Sequence, residues 1–414
     1  MKVFKFGGAS VRHATAIRQV GNILKRFSGE PVLVVISAMG KTTNALERVA
    51  EALHRNQSAA AEIDALVAYH LEVISGLLPE GHQISAEVKN LFTALPRWAD
   101  KALKFDALYD QVVSTGEIAS TKIVSAFLQE QNLPVTWIDA RQHIASDNTY
   151  REGKVDWDTT RKLCQSLPAM MRSGILVTQG FIAQSKEGLT TTLGREGSDY
   201  TAAIFAACLG AESVTIWKDV PGVMNADPKR LPDAITFDEL PFREAAEMTY
   251  YGASVIHPKT IKPLANHGIP LLVKNFDNPD LPGTRIHETK VDQLPPLIVF
   301  KDNQCLISCR VTDYTFINEE QLSLLFAALS ELDIRINLMQ NSAISFSIVV
   351  DFREDKILRL IERLSSIFQV YYNTGLTLIT VKNYDATTFD AYRRKPGLLL
   401  EQSSRSTLQV LVKP

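Results

Sequence analysis

The chain lacks most of the motifs that announce a cofactor or a redox role. Its 414 residues hold four cysteines, Cys164, Cys208, Cys305 and Cys309. They form no C-x-x-C pair and have no histidine at metal-ligand spacing, which argues against a zinc ribbon, an iron–sulfur cluster or a disulfide framework and for no protein-held metal. Cys305 and Cys309 sit four apart in a strand-like run, so they share one sheet face and read as packing residues. No G-x-G-x-x-G supports a nicotinamide or flavin dehydrogenase, no H-E-x-x-H a zincin helix, and no G-x-S-x-G a nucleophile elbow. Charge of one sign is missing as well: 44 Lys+Arg stand against 46 Asp+Glu, for a net charge of −2. With no block of either sign there is no electrostatic case for nucleic acid or an anionic membrane. No window approaches about 18 uninterrupted apolar residues, and Met1 leads straight into a strand pattern, so nothing directs the chain out of the cytoplasm. The expected partners are small molecules and a second copy of the chain.

What is present is a long α/β alternation. The hydrophobic content of 45% supports sizeable cores in two or three domains. Over residues 1–295, strand candidates Val3–Phe6, Val32–Ser37, Val135–Asp139, Ile175–Gln179, Val214–Trp217 and Leu271–Lys274 alternate with helical patterns. Several are continuous apolar runs, as expected of an open, mostly parallel sheet with helices on both faces. From Asn44 to Leu133 apolar residues recur at helical spacing, which reads as a helical insertion or lid. Pro295-Pro296 marks a boundary, since consecutive prolines end regular structure. Beyond it, over residues 304–381, the order βαββαβ describes a ferredoxin-like sandwich, and residues 376–414 read as part of a second such unit.

Polar chemistry gathers where strands end. Thr192 to Tyr200 (TLGREGSDY) places backbone N–H groups, a guanidinium and a carboxylate before the apolar helix pattern Thr201 to Leu209, which suits a charged small molecule. At the first strand end, Lys5-Phe6-Gly7-Gly8 puts a lysine beside two glycines whose backbone can approach phosphate oxygens; alone, it is equally an ordinary glycine turn. Ser37 to Asn44 (SAMGKTTN) follows another strand with hydroxyls. It contains the tail of a P-loop, but Val35 stands where that motif needs glycine, and Thr43 or Asn44 serves as a helix N-cap. Gly116-Glu117 opens an apolar helix, and Glu117 becomes an ammonium acceptor if the neighbouring loops bind substrate. Lys218 to Val223 and Asn225 to Lys229 make a turn-rich stretch at the end of a buried strand, where a nucleotide lies in open α/β sheets. His257, at the start of a helix, reads as structural.

Taken in order, Lys5-Phe6-Gly7-Gly8-Ala9-Ser10, Ser37-Ala38 with Thr43-Asn44, Gly194-Arg195-x-Gly197-Ser198-Asp199-Tyr200, Asp219-Val220-Pro221-Gly222-Val223, Asp227-Pro228-Lys229 and Val273-Lys274-Asn275 resemble aspartate kinases of the amino-acid-kinase fold, followed by ACT domains. The resemblance implies a kinase domain at 1–295 and an ACT-like regulatory and dimerising region at 296–414. It also implies a monofunctional enzyme, with no stretch left for the homoserine dehydrogenase some relatives carry. The implied reaction is ATP-dependent phosphorylation of the L-aspartate side-chain carboxylate, the first step toward lysine, threonine and methionine. Lys5, Gly7, Gly8 and Ser37 then match residues that hold the ATP phosphates, Lys5 also steadying the transition state. Thr43, Glu117, Arg195, Gly197 and Ser198 match aspartate-binding residues, and Asp199 one that orients Lys5. Lys218, Asp219, Met224 and Lys229 match residues lining the nucleotide, with Mg²⁺ carried by the ATP phosphates. An amino-acid effector such as lysine or threonine, and a homodimer or dimer of dimers, follow from the ACT-like region.

Four positions depart from the pattern. Glu196 stands where many relatives have Gly or Asn, Lys218 where Thr is frequent, Ser254 where a nucleotide-facing Lys is common, and the glycine-rich effector loop is replaced by Thr312 to Asn318, which has no glycine. The rivals are a kinase for another amino-acid carboxylate, such as glutamate, and a catalytically silent amino-acid sensor.

Overall fold

The computed structural model describes residues 1–101, 103–172, 174–252, 256–291, 293–312 and 316–414. Ser254 and residues 313–315 of the expected effector loop lie outside them. Packing divides the chain into two units. One comprises Met1–Met224, Thr236–Thr249 and Ser254–Val291; the other comprises Asn225–Ile235, Tyr250–Ala253 and Asp292–Pro414.

Runs of branched aliphatic residues make the central strands of the first unit, because a strand covered on both faces has no polar side to alternate. β1 (Lys2–Phe6), β2 (Val32–Ile36), β3 (Val135–Trp137), β5 (Ile175–Gln179), β8 (Ser213–Lys218), β9 (Glu239–Pro241), β10 (Leu271–Asn275) and β11 (Thr284–His287) form an eight-stranded sheet. Its order is β3-β5-β2-β1-β8-β10-β11-β9. Every neighbouring pair from β3 to β10 is parallel, and only β10–β11 is antiparallel. A small second sheet joins β4 (Ala145–Ser146), β6 (Ile182–Ser185) and β7 (Thr190–Thr192).

The helices of this unit are α1 (Ala14–Lys25), α2 (Thr42–His54), α3 (Ala60–Ser75), α4 (Ile84–Thr93), α5 (Phe105–Glu130), α6 (Trp157–Cys164), α7 (Leu167–Met171), α8 (Gly197–Leu209), α9 (Phe242–Tyr250) and α10 (Pro258–Asn266). The stretch from Asn44 to Leu133, read as a helical insertion or lid, is largely helical, as its spacing predicts, in α2 to α5. His257 is the N-cap of α10, its Nδ1 accepting the Lys259 N–H at 3.2 Å.

Helix starts depart from expectation at two places. Gly116-Glu117 does not open a helix but lies in the middle of α5. Its glycine is a packing device, since a Cβ there would lie 3.0 Å from Thr42 Cγ2 and 3.1 Å from Ala38 Cβ and Leu46 Cδ1. Neither Thr43 nor Asn44 caps α2: the N-cap is Lys41, which makes no side-chain capping bond, so Thr43 sits inside the first turn.

The second unit is built on β12 (Leu297–Arg310), β13 (Ile336–Asn341), β14 (Ser345–Asp351), β15 (Gln369–Lys382), β16 (Leu398–Ser403) and β17 (Thr407–Val412), with α11 (Glu319–Glu331), α12 (Glu354–Leu364) and α13 (Ala386–Arg393). The strands form one sheet of order β13-β14-β12-β15-β17-β16. β12 and β15 are each 14 residues long and run through both halves, so two βα sandwiches share a pair of strands. Cys305 and Cys309 are buried together against Leu325, Leu329, Ile357 and Leu360.

Candidate active site

β1, β2 and β8 lie in register, with Phe6 beside Ile36 on one side and Trp217 on the other, so their C-terminal loops open at the same level of the sheet. That is the edge at which open parallel sheets bind ligands. The first two loops touch backbone to backbone. A Cβ on Gly8 would lie 2.7 Å from Ala38 O, and Gly40 N–H donates to Gly8 O at 3.0 Å. Only glycine allows this approach. Ser37 N–H donates to Phe6 O at 3.1 Å, and its own carbonyl accepts from Ser120 Oγ at 2.8 Å.

Charge concentrates at the first turn of α8. Asp199, 3% exposed, holds Lys5 Nζ at 2.6 Å through Oδ1, and Lys218 Nζ lies 3.9 Å from its Oδ2. A buried carboxylate placed in the first turn gains from the helix dipole and fixes two ammonium groups that arrive from adjacent strands. Lys5 Nζ also lies 3.3 Å from where a Cβ would sit on Gly7, so this ammonium stands against the glycine turn. Ser198 is buried on the same turn, and a Cβ on Gly180 would meet its Oγ at 2.5 Å. Gly180 N–H donates to Ile36 O at 2.9 Å, tying this corner to the end of β2. Arg195 is exposed and makes no ion pair among the described residues.

Glu117 enters from the other side. It is buried in α5, its Oε1 accepting the Ala38 N–H at 3.4 Å while Oε2 has no partner. Burial pushes its carboxyl up to about 8, against the smaller lowering effects of its own backbone N–H and that of Ala38. Glu117 is therefore protonated at neutral pH until a cation faces it. Thr43 is half-buried in the first turn of α2. Of the remaining expected nucleotide residues, Asp219 is exposed directly after β8, and Met224 bridges to Thr236. Lys229 N–H donates to Asp227 Oδ1 at 2.9 Å within Asn225–Ile235, which pack with the second unit, so Lys229 is no part of the geometry described for the first.

Glu196 explains itself once its backbone is seen. As the N-cap of α8 it has φ +53°, ψ 30°, the left-handed region that favours Gly or Asn. Its Oε2 is buried without a partner. Glu196→Gly is expected to raise stability by about 1 kcal/mol, read as a higher Tm, by relieving left-handed strain against a smaller entropic loss. It is also expected to lower the KM for an anionic substrate; an unchanged Tm and KM would mean that the residue is accommodated at no cost.

Three residues escaped the sequence reading: Gly180, which makes room for Ser198, and Asp110 with Gln111, which bond β7 just before the Arg195 turn. Gly180 carries a signal of its own, a glycine directly after a buried strand. Asp110 and Gln111 carry none, since they are two of many polar residues along the same helix.

The arrangement offers two lysines beside glycine backbone, with a buried hydroxyl on the first turn of α8, an exposed guanidinium just before it and a buried acid entering from α5. It is suited to bringing two anions together. The Amino acid kinase family profile matches residues 1–275. Lysine-sensitive aspartokinase 3 of Escherichia coli (strain K12) is 31% identical over 92% of this chain and 87% of its own length. The bifunctional aspartokinase/homoserine dehydrogenase 2 of the same organism is 34% identical over 75% of this chain, which spans only 38% of that protein. Among solved structures, E. coli aspartokinase III with lysine and aspartate in its T-state superposes with a TM-score of 0.84 at 29% identity, over 100% of this chain and 96% of the other. Its R-state with aspartate and ADP gives 0.83 at 30% identity over the same shares.

Proposed function

The chain belongs to the amino acid kinase family, among its aspartokinases, and on that footing we propose that it transfers the γ-phosphoryl group of ATP to the side-chain carboxylate of L-aspartate, giving 4-phospho-L-aspartate and ADP. The observation that carries this reading for the chain's own residues is the Lys5–Asp199–Lys218 cluster beside the Gly7-Gly8 turn.

A carboxylate is ionised at neutral pH and needs no general base to attack phosphorus. The protein's work is to hold two anions in line and neutralise the charge that spreads over the transferring group. Lys5, steadied by Asp199, meets the phosphates where the glycine turn lets backbone approach. Arg195 takes the substrate α-carboxylate by its two-pronged geometry, Ser198 and Thr43 add hydroxyls, and Glu117 receives the ammonium. ATP brings Mg²⁺ on its phosphates as part of the substrate; among the described residues no cluster of three or more His, Cys, Asp or Glu side chains forms a cage for a metal of the protein's own. Lysine, the ligand bound with aspartate in the E. coli relative, is the effector to try first. A homodimer formed along the second sheet, whose outer strands are β13 and β16, is the assembly to try first by sedimentation.

Lys218 supplies positive charge next to the nucleotide phosphates. Lys218→Thr is expected to raise the ATP KM about fivefold, roughly 1 kcal/mol, while the aspartate KM moves less; equal KM values in initial-rate assays would remove it from the nucleotide site. The reaction itself is tested by ADP release with Mg-ATP and L-aspartate, L-glutamate or no acceptor, with and without lysine. Turnover confined to aspartate supports the proposal, and turnover on glutamate or on neither acid contradicts it.

A further inference from the structure

The Arg195 turn is held from behind by a residue that nothing in the reaction itself calls for. Asp110, on α5, is fully buried and accepts three hydrogen bonds. Its Oδ2 takes the Arg151 N–H and the Thr192 N–H, both at 2.9 Å, and its Oδ1 takes the Thr192 hydroxyl at 2.8 Å. The next residue, Gln111, accepts the Thr190 N–H at 3.0 Å and donates to Thr190 O at 2.8 Å. Two consecutive residues of one helix thus fasten both ends of the three-residue strand β7.

What β7 leads into is the substrate turn. Gly194, two residues beyond Thr192, has φ +76°, and a Cβ there would lie 3.4 Å from Arg151 O and 3.3 Å from Glu152 Cγ. Gly153 N–H donates to Thr192 O at 2.8 Å. The 151–153 loop therefore backs the Gly194 turn, and among the described residues Asp110 is the side chain that bonds both the loop and the strand end. The loop is also braced away from Asp110: the Arg151 guanidinium lies over the Tyr109 ring at 4.3 Å and stands 3.6 Å from both Glu47 and Asp106. Seven residues along α5 from Asp110, two helical turns and so about 10 Å further on the same side, stands Glu117. One rigid helix sets both the buried acid and the loop that carries the guanidinium.

We propose that Asp110 is a positioning residue for aspartate binding: by joining the Arg151 backbone to the end of β7 it fixes the Gly194–Ser198 turn, and with it Arg195, relative to Glu117. The proposal rests on the aspartate-kinase reading. All three bonds of Asp110 go to backbone N–H groups or a threonine hydroxyl of the supporting segments, so it acts through them and touches no substrate. Removing it leaves two buried N–H groups without an acceptor, and the turn is free to shift. A displacement on the order of 1 Å is enough to spoil a two-pronged carboxylate contact.

The test is initial-rate kinetics of the full-length enzyme with Mg-ATP and L-aspartate, each varied against saturating amounts of the other. Asp110→Ala is expected to raise the aspartate KM about tenfold, with the ATP KM and kcat within about twofold. Asp110→Asn keeps a carbonyl oxygen for the two N–H groups and can donate its amide to the Thr192 hydroxyl, so it is expected to stay within about threefold of wild type. Thr192→Val, which removes only the hydroxyl bond and keeps the side-chain shape, gives an intermediate rise and serves if Asp110→Ala does not fold. An aspartate KM unchanged in both Asp110→Ala and Thr192→Val overturns the proposal, as does a loss in kcat with KM intact, which a general structural weakening would give. Wild-type enzyme without aspartate turnover would instead overturn the reading on which the proposal rests.

Discussion

Replacing Lys5 with alanine is expected to lower kcat by about two orders of magnitude or more, a loss of roughly 3 kcal/mol of transition-state stabilisation, with little change in the aspartate KM. The reason lies in where the ammonium is held. It is 2.6 Å from a carboxylate that is 3% exposed, so its position is fixed before substrate arrives, and it stands against the Gly7 turn where no side chain intervenes. A charge positioned in advance in a water-poor site costs no reorganisation as charge spreads over the phosphoryl oxygens. The substitution has a second consequence. Asp199 loses its nearer partner and is left buried with Lys218 at 3.9 Å, so a drop in Tm should accompany the kinetic loss. A Lys5→Ala enzyme with near-native kcat would take Lys5 out of the catalytic machinery.

The second large effect is on pH. Glu117 is protonated below about 8 when it faces no cation, because burial penalises its charged form. Binding of an ammonium requires the ionised form, so a proton must leave as aspartate arrives. The sign follows directly: at any pH below about 8 the free enzyme must first give up this proton, and the cost grows by about 1.4 kcal/mol per pH unit. The aspartate KM is expected to fall roughly tenfold per unit as pH rises from about 6 to 7.5 and to level off above 8, with the ATP KM flat across the range. Calorimetry in buffers of different ionisation enthalpy should register close to one proton released per aspartate bound at pH 7. Glu117→Gln should bind aspartate weakly and without the pH slope. A flat aspartate profile with no proton release would mean that Glu117 does not meet the ammonium.

How much of this was legible beforehand differs by residue. Lys5 lies at the end of an apolar strand and Gly7 and Gly8 follow it, and the ends of buried strands are where α/β sheets bind ligands. Local pattern marks the place, but alone it reads equally as a glycine turn, and only the resemblance gives these residues a role. Glu117 is a candidate through the resemblance, but its local pattern misplaces it. A glycine beside an acid reads as a helix start, whereas Gly116 lies inside a 26-residue helix, where Ala38, Thr42 and Leu46 pack so closely that a Cβ would have to displace them by a few tenths of an ångström. That is a tertiary constraint with no local signature. Thr43 has the residue type of a cap but is the second residue of the helix, two positions past its N-cap Lys41. Glu196 was visible as a departure, but only its left-handed backbone explains why Gly and Asn suit that position. Asp110 lies 82 residues from Thr192 in sequence, and nothing local relates a polar residue on a buried helix to a turn so far along the chain. The same holds for β12 and β15, whose 14-residue length binds two sandwich halves into one sheet.

The identity of the phosphorylated group tests the account most directly. An acyl phosphate reacts with hydroxylamine, so the enzyme run with Mg-ATP, L-aspartate and hydroxylamine should form the hydroxamate of the aspartate side-chain carboxyl, one for each ADP released. L-glutamate in place of aspartate should give none. ADP release with no hydroxamate, or hydroxamate formed equally from glutamate, would contradict phosphoryl transfer to the aspartate side chain.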